Sequence, residues 1–116
     1  MILLVDDDAS VRFVICSFLE LNHYNVLEAC NGEEALNIIK SRNDIRIILL
    51  DVCMPKVDGN QFLQEFVKLA KKSCVIVITG YRDKLKKELI LHTDLIIDKP
   101  VILDKMLEAI KANYGH

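Results

Sequence analysis

The chain is poor in the residues that mark linkers, extended proteins and membrane spans. Its 116 residues include only two prolines and four glycines, and no low-complexity stretch or internal repeat is present. No apolar run approaches the length of a membrane span, and Met1 begins a strand-like segment instead of the charged start of a targeting peptide. These absences predict one soluble, cytoplasmic domain over residues 1–116 with no output domain.

The chain also lacks a large excess of one charge and closely spaced pairs of cysteines. The net charge of -2 is spread over interspersed acidic and basic residues, which disfavours direct binding of nucleic acid or membranes. Cys16, Cys30, Cys53 and Cys74 lie far apart, without a C-x-x-C pair or clustered histidines. A zinc site and a disulfide framework are therefore disfavoured, and the thiols are predicted to be reduced, small core residues.

The chain does contain a regular alternation of apolar runs and helical patterns. Each of five strand-like runs is followed by apolar residues at helical spacing, and the runs lie at residues 2–5, 24–29, 45–51, 74–80 and 95–97. The fourth helix is predicted over residues 83–92. Runs three and four are nearly all apolar, which is typical of parallel strands covered on both faces. The pattern predicts an α/β fold, a (βα)5 doubly wound three-layer sandwich around a five-stranded parallel sheet.

Polar side chains cluster at the carboxyl ends of these predicted strands. Asp6 and Asp7 follow the first strand, Asp51 ends the third, Thr79 ends the fourth and Lys99 follows the fifth. Ligands of such sheets bind at this edge, so we expect the five side chains to converge. A packed carboxylate cluster needs either bulk water or a cation, and oxygen ligands suit Mg²⁺. A carboxylate can also act as the nucleophile in phosphoryl transfer and form an aspartyl phosphate.

Two further acidic residues have structural interpretations. Asp8 directly precedes the first helical pattern, so it is predicted to cap that helix instead of binding metal. Asp58 and Gly59 together are typical of a turn, and we expect no chemistry from them.

Four motifs, in order and spaced over nearly the whole chain, resemble a known family. They are "LLVDDD", "ILLDVCMPKVDG", "VIVITG" and "IIDKPV". The sequence is similar to the response-regulator receiver domains of two-component signalling, the CheY-like type. That resemblance implies a flavodoxin-like fold with strand order 2-1-3-4-5. It also implies that Asp51 is the phosphoacceptor.

The same resemblance implies how the site binds its ligands. Asp6, Asp7 and Asp51, with the backbone carbonyl of Cys53, would bind Mg²⁺, and Mn²⁺ is expected to substitute for it. Thr79 and Lys99 would bind the phosphoryl group as hydroxyl and ammonium. The Lys99-Pro100 peptide bond is expected to be cis.

The chain departs from the family pattern at the position that usually carries a switching aromatic residue. That position is Ile96, a β-branched residue that is stiff about χ1. Tyr81 lies close to Thr79 in sequence and is the alternative candidate for a side chain that reorients.

The implied function is a phosphorylation-dependent switch in a phosphorelay, which catalyses only its own phosphotransfer and dephosphorylation. The donor would be a sensor histidine kinase or a histidine phosphotransfer protein. A downstream protein would bind the face of helix 4, strand 5 and helix 5, and the chain would be a monomer or a weak phosphorylation-dependent dimer. The alternative is a receiver-like interaction module that is not phosphorylated. An aspartyl phosphatase is disfavoured because D-x-D-x-T is absent, and a flavin protein because no glycine-rich phosphate loop follows the first strand.

Overall fold

The computed structural model describes residues 1–52, 54 and 57–114. Within them the strands are β1 (Ile2–Val5), β2 (Val26–Ala29), β3 (Ile47–Leu50), β4 (Cys74–Thr79) and β5 (Leu95–Asp98). The helices are α1 (Ala9–Leu21), α2 (Gly32–Ser41), α3 (Gly59–Lys68), α4 (Lys87–Ile90) and α5 (Leu103–Asn113), with a 3-10 turn at Arg82–Lys84. No helix in this described part is long and apolar enough to cross a bilayer.

The five strands form one parallel sheet in the order β2-β1-β3-β4-β5. The predicted fold class and strand order are thus confirmed. Every residue of β1 and β3 is buried, because helices cover both faces of the sheet. Leu3 and Leu50 pack in a cluster with α2 and α3, whereas Leu4 and Leu49 pack in a second cluster with α1 and α5. The alternation of side chains along each strand separates these two layers of core.

Side-chain caps fix where three helices begin. The carboxylate of Asp8 accepts hydrogen bonds from the backbone of Ser10 (2.9 Å) and Val11 (3.3 Å), so its predicted capping role is confirmed. Asn31 caps α2. Asp58 was expected only to mark a turn, but it caps α3 and forms a reciprocal capping box with Gln61.

The predicted fourth helix is present, but it is much shorter than residues 83–92. The structure has the 3-10 turn Arg82–Lys84 followed by a single helical turn, α4. Lys86 at the start of α4 provides no side-chain cap, and only Leu85 and Leu89 of this stretch are buried. A helix with an uncapped start and little apolar contact gains too little to extend, because its first turn is costly to form.

Candidate functional site

Three carboxylates meet at the carboxyl end of the two central strands. Val5 and Leu50 are paired in the sheet, which places Asp6 and Asp51 side by side just beyond them. Asp6 and Asp51 are buried, with 3% and 6% of their surface exposed, whereas Asp7 is exposed. One carboxylate oxygen from each of the three lies within 4.8 Å of the others. The predicted convergence of these aspartates is present in the structure.

Lys99 brings a positive charge to this cluster. Its Nζ lies 3.3 Å from Asp6 Oδ2 and 3.6 Å from Asp51 Oδ2. The Lys99-Pro100 peptide bond is cis, as the resemblance implied. Burial by itself would lower the pKa of Lys99, but the negative charges of Asp51 and Asp6 outweigh it and hold the pKa above its usual range. Lys99 is therefore charged at neutral pH and offsets part of the carboxylate repulsion.

Thr79 lies at the same edge, at the end of β4. β3 and β4 are paired through Leu50 and Val77, and Thr79, two residues further along β4, is paired with Asp98 of β5. The side chain is fully buried, and its Oγ1 accepts a hydrogen bond of 3.0 Å from the backbone N–H of Tyr81. Its hydroxyl proton is not used in that bond. Thr79 therefore offers a donor at the carboxylate edge and is also tied to the residues that follow β4.

The position of Asp6 depends on Arg12, a residue that the sequence did not single out. The guanidinium of Arg12 donates to the backbone oxygen of Asp6 (2.7 Å) and to the carboxylate of Glu28 (3.2 Å). The backbone N–H of Asp8 donates to Asp6 Oδ1 at 2.9 Å. Arg12 follows Asp8 by one helical turn, and this spacing was the available signal that its side chain faces the acidic edge.

The two candidate switch residues flank the site but differ in their surroundings. Tyr81 is 58% exposed, and the Lys84 ammonium lies 4.7 Å from its ring centroid. Ile96 is half-buried and packs against the core cluster that contains α2 and α3. Arg82, the residue after Tyr81, links this segment to β5. Its guanidinium donates to the Asp98 carboxylate at 3.1 Å and to the Ile96 carbonyl at 3.4 Å.

The cluster suits a hard cation. Asp6, Asp7 and Asp51 offer only oxygen ligands, which Mg²⁺ prefers. These oxygens all lie within 4.8 Å of one another, so the three side chains that would hold the ion already face one small volume. Cys53, whose backbone carbonyl was the fourth expected ligand, lies outside the described residues.

The family-model match covers almost the whole described chain. Residues 2–111 match the model of the response regulator receiver domain. The chain belongs to this family. Receiver domains are the phosphoacceptor signalling domains of two-component response regulators and not conventional enzymes, and they bind Mg²⁺ at an acidic pocket.

Three relatives place this receiver domain more closely. The probable transcriptional regulator ycf27 of Cyanidium caldarium is 41% identical over 86 residues, covering 74% of this chain and 34% of the relative. The CpxR homolog of Haemophilus influenzae is 34% identical over 113 residues, covering 96% and 48%. The response regulator TrrA of Thermotoga maritima, solved with Mg²⁺ and BeF, is 30% identical, covers 96% of both chains and has a TM-score of 0.86. The match thus covers a third to a half of the length of the ycf27 regulator and of the CpxR homolog.

Proposed function

We propose that this receiver domain accepts a phosphoryl group on Asp51 from a phosphohistidine donor and then changes its partner-binding surface. The observation that supports this most directly is the arrangement around Asp51. Its buried carboxylate lies 3.6 Å from the Lys99 ammonium and within the same oxygen cluster as Asp6 and Asp7. A nucleophile, two further metal carboxylates and a fixed cation are the groups that phosphoryl transfer to a carboxylate needs.

In the proposed transfer, an Asp51 carboxylate oxygen attacks the phosphorus of the donor's phosphohistidine. The new O–P bond forms as the P–N bond breaks, and the bonding electrons remain on the imidazole nitrogen. Lys99 donates a hydrogen bond to one phosphoryl oxygen and the Thr79 hydroxyl donates to another. Asp6, Asp7 and Asp51, with the Cys53 carbonyl, would hold Mg²⁺, which supplies charge neutralisation at the phosphoryl oxygens. Attack of water on phosphorus later restores the Asp51 carboxylate and releases phosphate.

The proposed output surface is the face formed by α4, β5 and α5. Several large apolar side chains are exposed around it: Tyr81 at 58%, Leu91 at 88% and Leu95 at 40%. The Arg82–Asp98 ion pair lies on the same face and links it to the segment that follows Thr79. A downstream protein with an apolar patch is therefore the proposed partner. The cited relatives are named as transcriptional regulators, but this chain spans only 34% and 48% of them, so direct contact with nucleic acid is not part of the proposal.

The test is to incubate the protein with a small phosphodonor and Mg²⁺ and to measure its intact mass. One added phosphoryl group, lost in base or hydroxylamine and mapped to Asp51, is the expected result. Asp51→Asn should remain unlabelled, and the control variant Asp104→Asn, altered in the first turn of α5, should label like wild type. A wild-type protein that takes up no phosphoryl group would instead support the interaction module without phosphorylation.

A further inference from the structure

The side chain of Asn60 joins helix α3 to the residues between β4 and α4. Asn60 lies in the first turn of α3 and is only 8% exposed. Its Nδ2 donates to the carbonyl of Lys84 at 2.9 Å, and its Oδ1 accepts from the N–H of Lys86 at 2.9 Å. The nitrogen and the oxygen of the Asn60 amide are thus both bonded to backbone groups, one on each side of buried Leu85. These two bonds also fix which way the amide is oriented.

Helix α3 is itself fixed to the backbone that carries Asp51. The N–H of Gly59 donates to the Val52 carbonyl at 2.9 Å. A Cβ at Gly59 would lie 2.5 Å from Val52 Cα and 2.9 Å from the Asp51 carbonyl oxygen, so only glycine allows this approach. Asn60 is the next residue along the helix. It therefore connects the backbone of Asp51 to the residues 84–86.

The residues between β4 and α4 are held at their start by Thr79 and by β5. We define the β4–α4 segment as residues 80–86. Near its start, the Tyr81 N–H donates to Thr79 Oγ1, and Arg82 pairs with Asp98. Near its end, Asn60 supplies the two hydrogen bonds just described. In the proposed function, the Thr79 hydroxyl moves toward the new phosphoryl group and draws the segment with it. Because Asn60 stays with α3 and Asp51, that movement lengthens its bonds to Lys84 and Lys86.

We infer that Asn60 is a positioning residue of the switch, which holds the β4–α4 segment in its resting position through Lys84 and Lys86. The inference rests on the proposed function and adds a residue that regulates how easily the switch occurs. Hydrogen bonds present in the resting state and lost in the switched state favour the resting state. Removing them should therefore make the switched state easier to reach, and a phosphoryl mimic should bind more tightly.

Two variants remove the contact from opposite sides. Asn60→Leu is similar in shape and removes both bonds. Lys86→Pro leaves Asn60 unchanged and removes only the Lys86 N–H. Lys86 has φ -64° and ψ 134°, and Leu85 before it has φ -74° and ψ 124°, so a proline fits both backbones. Lys86→Ala is the matched control because it removes the same charge and keeps the N–H. Asn113→Ala is a second control, since it removes a side-chain bond to the Ala109 carbonyl far along α5.

The measurement is a titration of wild type and variants with beryllofluoride and Mg²⁺, followed by amide chemical shifts. Both Asn60→Leu and Lys86→Pro should bind about three- to tenfold more tightly than wild type, as expected from losing one or two neutral hydrogen bonds. Without the mimic, amide exchange at residues 84–86 should be faster in Asn60→Leu, and both control variants should titrate like wild type. Unchanged or weaker binding by both test variants would overturn the inference. Failure of wild type to bind the mimic would instead count against the proposed function.

Discussion

The Lys99 ammonium lies 3.3 Å from the Asp6 carboxylate, although 93 positions separate the two residues in sequence. The contact exists because β1 and β5 both end at the same edge of the sheet. Asp6 is 3% exposed, so its charge gains little from bulk water and depends on neighbouring groups. Lys99 also lies 3.6 Å from Asp51 and therefore serves two carboxylates at once.

Replacing Lys99 by Met should lower the free energy of unfolding at pH 7 by about 1–3 kcal/mol, because two carboxylates lose their shared cation. Interactions in the folded state raise the pKa of Lys99 above 10.5, so its contribution is complete below that pH and is lost as pH rises through the folded-state pKa. Urea unfolding of wild type and Lys99→Met should therefore differ at neutral pH and converge above about pH 10.5. Lys105→Met is the exposed control. A difference that stays constant with pH would show that the charge of Lys99 is not the source of this stabilisation.

Asp7 and Asp8 are adjacent, but we expect them to respond differently to substitution. Asp7→Ala should abolish Mg²⁺ binding at millimolar concentration. Mg²⁺ dehydrates reluctantly, so we expect Asp7 and Asp51 to bind the ion directly and Asp6 to act mainly through a bound water. Asp8→Ala should keep the Mg²⁺ affinity and lower stability by about 1 kcal/mol, since Asp8 caps α1. Metal titration and the Mg²⁺-dependent shift in melting temperature report the Mg²⁺ affinity, and unfolding without Mg²⁺ reports the stability. Equal Mg²⁺ affinity in wild type and Asp7→Ala would show that the site lies elsewhere.

Asp51→Asn should prevent phosphoryl labelling while preserving the fold. The two side chains are nearly isosteric, and the loss of repulsion from Asp6 offsets the loss of attraction to Lys99. We expect the free energy of unfolding to change by less than about 1 kcal/mol. Intact mass and urea unfolding test the two statements separately. A variant that still takes up one phosphoryl group would exclude Asp51 as the acceptor.

The response to a phosphoryl mimic should centre on residues 80–85. Ile96 is stiff about χ1 and packs against the core, whereas Tyr81 is 58% exposed. We therefore expect Tyr81 to reorient on addition of beryllofluoride and Mg²⁺, with only small changes at Ile96. Amide chemical shifts and the Tyr81 ring signals report this directly. Large shifts at Ile96 with an unchanged Tyr81 would reject this description of the switch.

The three described thiols should react slowly in the folded protein. Burial, aided by the Glu20 carboxylate, raises the pKa of Cys16 to about 12, and burial with Asp94 raises the pKa of Cys74 to about 11. A hydrogen bond to Glu34 raises the pKa of the Cys30 thiol. Few thiolates are present at pH 7.5, so alkylation mapped by mass spectrometry should be far slower than in urea. Glu34→Gln should accelerate Cys30 alone. Equal rates for Cys30 in the folded and unfolded wild type would contradict this prediction.

The sequence was sufficient for the architecture because hydrophobic periodicity is a local signal. Continuous apolar runs such as residues 74–80 indicate strands covered on both faces, and their alternation with helical patterns restricts the connections. From that frame, the position of Asp6, Asp51 and Thr79 at strand ends predicts one shared edge. The cap by Asp8 was also local, since it follows from one residue before a helical pattern.

Tertiary structure decided what depends on contacts between distant residues. The stretch 83–92 has helical spacing, but few apolar contacts and no side-chain cap support a long helix there. The structure has the 3-10 turn Arg82–Lys84 and the single helical turn α4 instead. Asn60 has no local signature of its role, because its partners, Lys84 and Lys86, are brought to it only by folding. The spacing of Arg12 from Asp8 indicated the direction of its side chain, but not its bond to the Asp6 carbonyl. Sequence periodicity specifies which face of an element is buried. Only packing specifies which polar groups then lie within hydrogen-bond distance, since a shift of about 1 Å makes or breaks such a bond.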